Sequence, residues 1–92
     1  MGYVFEWDAR KASSNLNKHG VTFDEATTVF GDALSLLMED PKHSSYEQRF
    51  LVMGMSHQQR FIVVAFAERP PYTRIISARL ASRQERKLYE QG

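Results

Sequence analysis

Apolar and polar positions alternate along the chain in two different periods. Tyr3-Val4-Phe5-Glu6-Trp7 alternates residue by residue and is aromatic, which predicts a short strand. Asp8 then stands where an N-cap belongs. Ala9 to His19 has the composition of a helix, and Gly20 suits the left-handed residue that closes one. On that helix Ala12, Leu16 and His19 share one face, and Lys11, Asn15 and Lys18 share another. Thr22 and Glu25 are spaced as a capping box. The second helix they open would bury Phe23, Ala26, Thr27 and Phe30 and stop at Gly31.

Beyond Gly31 the period shortens to two. Leu34 to Glu39 reads as a strand stopped by Asp40-Pro41, and Lys42 to Tyr46 as a polar loop. Gln48 to Ser56 and Arg60 to Glu68 read as strands joined by a hairpin at His57-Gln58-Gln59. Phe61-Ile62-Val63-Val64-Ala65-Phe66 is apolar on both faces, as the centre of a sheet must be. Arg69-Pro70-Pro71-Tyr72 is a stiff turn, because each proline fixes φ. A strand from Thr73 carries Arg74-Ile75-Ile76-Ser77-Ala78-Arg79. Ser82-Arg83-Gln84-Glu85 is a second capping box, opening a helix from Arg83 to Glu90. The order is β-α-α-β-β-β-β-α, an α+β fold in a single domain over residues 1–92. Short connections make the later strands an antiparallel meander. The two N-terminal helices should cover one face of the sheet to bury Phe23 and Phe30.

Arg74 and Arg79 are separated by an odd offset, so a regular strand would send them to opposite faces. Only a bend, expected near Ala78, would let them share a task. A guanidinium beside the packed centre of a small sheet needs a carboxylate, a carbonyl or an external phosphate. Glu6, Glu47 and Glu68 are the internal candidates.

Composition narrows the classes. There is no cysteine, which excludes a disulfide framework and a thiolate metal site. Histidines 19, 43 and 57 lack the close spacing of a metal site. No apolar run approaches the ~20 residues of a membrane helix. The first residues match neither a signal peptide nor a myristoylation site, since Glu6 stands where Ser or Thr is wanted. A cytoplasmic protein without membrane attachment is expected. The net charge of +1 hides an asymmetry. Residues 1–56 carry five bases against eight acids, whereas residues 57–92 carry seven bases against three acids. Six of those seven bases are arginine, whose planar fork suits phosphate. Such polarity points to a nucleic acid or an acidic protein partner.

Several pieces together resemble the BrnT family, toxins of bacterial type II toxin–antitoxin systems within the RelE-like group. They are Phe5-Glu6-Trp7-Asp8, Asn15 with Lys18-His19-Gly20-Val21-Thr22-Phe23, Glu25-Ala26 and Val29-Phe30. Asp40, His43-Ser44, Glu47 and Arg49 follow, then Arg74 to Arg79, Glu85-Arg86 and Tyr89-Glu90. Gln48 stands where the family typically has a second acid. The resemblance implies a RelE-like fold and a ribonuclease that arrests translation. It also implies a BrnA-type antitoxin, whose complex with the toxin represses their own operon, so that operator DNA is met only through the antitoxin.

RNA cleavage without a metal uses the neighbouring 2′-hydroxyl as nucleophile. The protein must take one proton, hold a dianionic phosphorane and return a proton to the leaving oxygen. No cofactor or metal is needed. The residue types that can do this work are histidine, lysine, arginine and, by analogy with RelE-like toxins, tyrosine. Lys18, His19, Arg74, Arg79 and Tyr89 are therefore the candidate catalytic residues. Arg49, Arg60, Arg83 and Arg86 are the candidate RNA-binding ones. His43 with Ser44 is a further loop candidate. Each has a bland alternative: His19 packs on Leu16, Lys18 is solvated, and the arginines pair with internal acids. A non-enzymatic partner-binding or RNA-binding module in an autorepressing complex is the rival reading. A strand edge at 48–56 or 73–78 would also allow a homodimer.

Overall fold

The computed structural model describes residues 2–40 and 48–91. The expected polar loop, and with it His43, Ser44 and Glu47, lies outside the described residues. The elements are β1 (Phe5–Glu6), α1 (Ala9–His19), α2 (Phe23–Val29), β2 (Leu36–Glu39), β3 (Arg49–Met55), β4 (Phe61–Arg69), β5 (Tyr72–Leu80) and α3 (Arg83–Gln91). The strands form one sheet in the order β1-β5-β4-β3-β2. The β2 to β5 meander is antiparallel, as the short connections require. β1 departs from that pattern: it lies parallel to β5, with Phe5 beside Thr73 and Glu6 beside Arg74.

Local chemistry sets the helix ends. Asp8 Oδ1 accepts the Arg10 and Lys11 backbone N–H groups at 2.8 and 3.1 Å. These bonds, the one from Lys11 foremost, hold the Asp8 carboxyl below its ordinary value. Gly20 closes α1 at φ 69°, where a side chain would be strained, and donates to Leu16 O at 2.9 Å. Thr22 Oγ1 accepts the Glu25 N–H at 3.0 Å. The other half of that expected box is missing, because the Glu25 side chain turns inward to Ser56 and Arg60 instead. At α3 the box is complete: Ser82 N–H donates to Glu85 Oε1 at 2.8 Å, and Glu85 N–H donates to Ser82 Oγ at 3.1 Å.

The core lies between the α1/α2 pair and one face of the sheet. Val21, Phe23, Ala26 and Val29 meet Val52, Ile62, Val64, Phe66, Ile75 and Ala78, all buried. Each large side chain removed from water there contributes about 1.5–3 kcal/mol. On α2 the buried set is Phe23, Glu25, Ala26 and Val29; Thr27 and Phe30 are only half-buried. Gly54 is required by close approach: a Cβ there would stand 2.9 Å from Asp32 Oδ2 and 3.2 Å from Val29 Cγ1. α3 buries no residue and lies at the Phe61–Arg79 end of the opposite face.

Two departures from the sequence reading shape the site. β5 carries a bulge: Ala65 pairs with Ser77 but Phe66 pairs with Ile75, leaving Ile76 extra. Arg74 (opposite Ala67) and Arg79 (opposite Val63) thereby point to the same face, and the bend falls at Ile76 rather than Ala78. Asn15, expected on the polar face of α1, is the buried residue of that helix at 5% exposure. Its amide fastens α1 along β5. Nδ2 donates to Ala78 O at 2.8 Å and Val21 O at 3.0 Å, and Oδ1 accepts the Ala78 N–H at 3.0 Å. Of the strand edges expected at 48–56 and 73–78, the first is closed and the second is covered in part. β3 is paired on both sides, and β5 is flanked by β1 at Thr73 and Arg74 and by α1 at Ala78.

Candidate functional site

Where α1 crosses the bulge of β5, an open hollow of about 280 Å³ forms. Arg10, Lys11, Ser14, Asn15, Lys18 and His19 line it from the helix, and Ile76 and Ser77 from the strand. The helix residues make two interleaved stripes. Arg10, Ser14 and Lys18 recur every fourth residue, and so do Lys11, Asn15 and His19. Asn15 holds the helix down while its neighbours on either stripe face outward. Among the described residues, no carboxylate lines the hollow. The nearby Asp8 carboxylate is already committed to the helix N-terminus. Three basic side chains and an imidazole thus converge on one concavity without an internal counter-charge among the described lining residues. Such a surface attracts anions and strengthens their hydrogen bonds as water leaves.

Lys18 and His19 are the only two expected catalytic residues that line this hollow. Arg74 stands on the same strand just before the bulge, its Nη1 3.7 Å from Glu6 Oε2, with both side chains partly exposed. Arg79 is held more firmly. Its Nη1 and Nη2 donate to Glu85 Oε1 and Oε2, each at 2.8 Å. That fork holds Glu85 at a pKa of about 2, with the Ser82 N–H adding to the effect against the cost of burial. The same bonds raise the Arg79 pKa. Tyr89 lies away from the hollow and donates to Asp32 Oδ2 at 2.7 Å. This bond pushes the phenol pKa up, as burial also does. Burial opposes ionisation of Asp32, but bonds from Met55 N–H, Tyr89 and Leu34 N–H outweigh it and hold that carboxyl low.

Among the expected RNA-binding residues, Arg60 is tied to the buried Glu25. Its Nε donates to Glu25 Oε2 at 2.9 Å, Nη2 donates to Glu25 Oε1, and Nη2 also reaches Gly20 O at 3.1 Å. Ser56 Oγ donates to the same carboxylate at 2.6 Å. The Arg60 bonds foremost keep Glu25 ionised although it is only 2% exposed. Arg86 lies over the Phe61 ring, 4.7 Å from its centroid. Arg83 is exposed at the start of α3, and Arg49 is half-buried on the Arg74–Arg79 face at the start of β3.

Sequence reasoning passed over Arg10, Lys11, Ser14 and Ser77 as site residues. The signal available was the fourfold spacing along α1, together with the basic pair that opens it. What could not be seen was the strand lying against that helix.

Comparison with known proteins agrees with this architecture. The family model described as ribonuclease toxin, BrnT, of type II toxin–antitoxin system matches residues 7–85. The crystal structure of the Brucella abortus ribonuclease toxin BrnT aligns with a TM-score of 0.63 over 90% of this chain and 100% of that one. At 22% identity this is a likeness of fold. No curated protein matches the chain. With the family model spanning nearly the whole length, the chain belongs to the BrnT family of ribonuclease toxins of type II toxin–antitoxin systems.

Proposed function

We propose that this chain is the toxin of such a pair and cleaves RNA by metal-independent acid–base chemistry in the hollow between α1 and β5. The observation that carries the reading is the convergence of Arg10, Lys11, Lys18 and His19 around Ile76 and Ser77, with no carboxylate among the described lining residues. That donor set suits a phosphodiester and offers a divalent cation no charged ligand.

In this mechanism the phosphodiester enters with its oxygens toward Lys18, Arg10 and Lys11. The His19 imidazole takes the proton of the 2′-hydroxyl, whose oxygen attacks phosphorus. The cations stabilise the charge that grows on the phosphorane oxygens, where a desolvated site makes them most effective. The P–O5′ bond then breaks, the 5′ oxygen leaves with a proton from the Lys18 ammonium, and a 2′,3′-cyclic phosphate remains. Arg74, loosely paired and on the adjacent stretch of β5, extends the basic track along the strand. The same track would carry RNA toward Arg79 and the arginines of α3. A BrnA-type antitoxin would neutralise the activity, and translation would stop in its absence.

The test is incubation of purified protein with RNA in excess chelator. Wild type is expected to cleave and leave cyclic phosphate ends. His19→Ala and Lys18→Ala are expected to lose about 10²–10⁴-fold in rate, the usual share of a positioned acid or base. Both are exposed helix positions, so melting temperatures should stay within a few degrees of wild type. Full cleavage by both variants, or cleavage only with added divalent metal, would overturn the assignment.

A further inference from the structure

The helix-bearing face of the sheet is not covered to its end. Beyond α2 a groove of about 210 Å³ opens, lined by Tyr3, Phe30, Ser35, Leu37, Val52, Phe66 and Glu68. Its floor is a continuous run of rings. Tyr3 lies 5.1 Å from Phe30 and Phe30 lies 5.0 Å from Phe66, centroid to centroid, while Phe50, outside the groove lining, stacks behind Phe66 at 5.6 Å. Its rim is apolar and wet: Tyr3 is 55% exposed, Leu37 65% and the neighbouring Leu34 69%. Large apolar groups left in water beside an aromatic floor mark a contact surface. Leu37 belongs to β2, the last strand of the sheet.

Charge narrows the occupant. Glu68 lines the groove and Glu39 lies on the same strand face as Leu37, two residues on. Among the described residues, no lysine, arginine or histidine lines it. The groove therefore suits an apolar side chain carried on a basic segment, the opposite electrostatic character from the hollow at α1. The same acids repel an RNA backbone.

We propose that this groove seats the antitoxin, through a short segment that places an aliphatic or aromatic side chain on the Phe30–Phe66 floor and lysine or arginine beside Glu39 and Glu68. This rests on the toxin–antitoxin reading but not on the nuclease site, because the two concavities share no lining residue. Affinity for the antitoxin and cleavage of RNA thus become separable by substitution.

The test uses the full chain and the antitoxin encoded beside it. Binding is measured by calorimetry, and RNA cleavage is measured without antitoxin. Leu37→Glu is expected to weaken binding at least 100-fold with unchanged melting and cleavage, and Glu68→Lys at least 10-fold with unchanged cleavage and a slightly lower melting temperature, because it removes the bond from the buried Thr73 hydroxyl to Glu68 Oε1. Leu88→Glu, at a 53% exposed position on α3, serves as the control and should bind normally. Wild-type affinity in Leu37→Glu and Glu68→Lys overturns the proposal. So does a free chain that dimerises at micromolar concentration and becomes monomeric in Leu37→Glu, since a second copy then fills the groove. Wild type that binds the antitoxin through these residues yet never cleaves RNA would remove the nuclease reading and leave the docking surface standing.

Discussion

Asn15→Ala is the substitution whose cost the structure sets most directly. It removes three hydrogen bonds and strands three buried backbone groups: Ala78 N–H, Ala78 O and Val21 O. Each buried polar group left without a partner costs about 1–3 kcal/mol. The adjoining hollow is open, so water can reach part of the vacated space, and the low end applies: about 3 kcal/mol in total. A domain of this size has roughly 5–14 kcal/mol of stability at ~0.05–0.15 kcal/mol per residue, so this one amide would hold a large fraction of it. In urea the midpoint should fall with the slope unchanged. By heat, the melting temperature should drop about 12–24 °C, at ~4–8 °C per kcal/mol. Asn15→Asp refines the test. It keeps an acceptor for Ala78 N–H but sets a carboxylate against two carbonyl oxygens. Its folded-state pKa should rise above the unfolded value, so the protonated form is favoured on folding. The deficit of that variant relative to wild type should therefore shrink as pH falls through the raised pKa. A loss below about 1 kcal/mol in Asn15→Ala would show that α1 is held by its apolar contacts instead.

Other expectations can be checked in the same way. Glu85 is held at a pKa of about 2, below its ordinary 4.5, so the stability it contributes is complete above 4.5 and is lost as pH falls toward 2. Because the Arg79 side chain is 42% exposed, screening reduces that contribution to about 1 kcal/mol; acid titration of Glu85→Gln should lack the corresponding step. Arg60→Ala leaves the buried Glu25 carboxylate with Ser56 and should cost about 3–5 kcal/mol, while the double variant with Glu25→Gln should recover part of it in denaturant melts. Tyr89→Phe removes the bond to Asp32 and should cost about 1 kcal/mol, with faster amide exchange confined to α3. Arg10→Ala or Lys11→Ala should each lower the slope of log affinity for single-stranded RNA against log salt by about 0.7. An unchanged slope would place those side chains outside the contact.

The meander, both capping positions of the longer helices and the central position of Phe61 to Phe66 are legible in the sequence. Each follows from local periodicity or from a side chain bonding its own backbone. The burial of Glu25 and Asn15 is hidden from the sequence for one reason. Both are polar and sit where a helical wheel allows a solvated face, and each is buried only because a distant strand supplies its partners. For Glu25 these are Ser56 and Arg60; for Asn15 they are the two backbone groups of Ala78. The hollow divides in the same way. Its helical cations can be read from spacing, but its floor at Ile76 and Ser77 depends on a pairing 63 residues away from Asn15. The parallel placement of β1 is likewise invisible to local pattern, since strand direction is decided by where α1 and α2 carry the chain.

The extra residue in β5 acts as a shift of parity. Upstream of Ile76 the odd and even positions address one pair of faces, and downstream they have exchanged. Deleting Ile76 would restore strict alternation and drive one of the two guanidiniums toward the aromatic interior while bringing an apolar side chain out in its place. The strand therefore cannot be shortened by one residue without dismantling either its basic side or its core. Any working relative with a different strand length should differ by two.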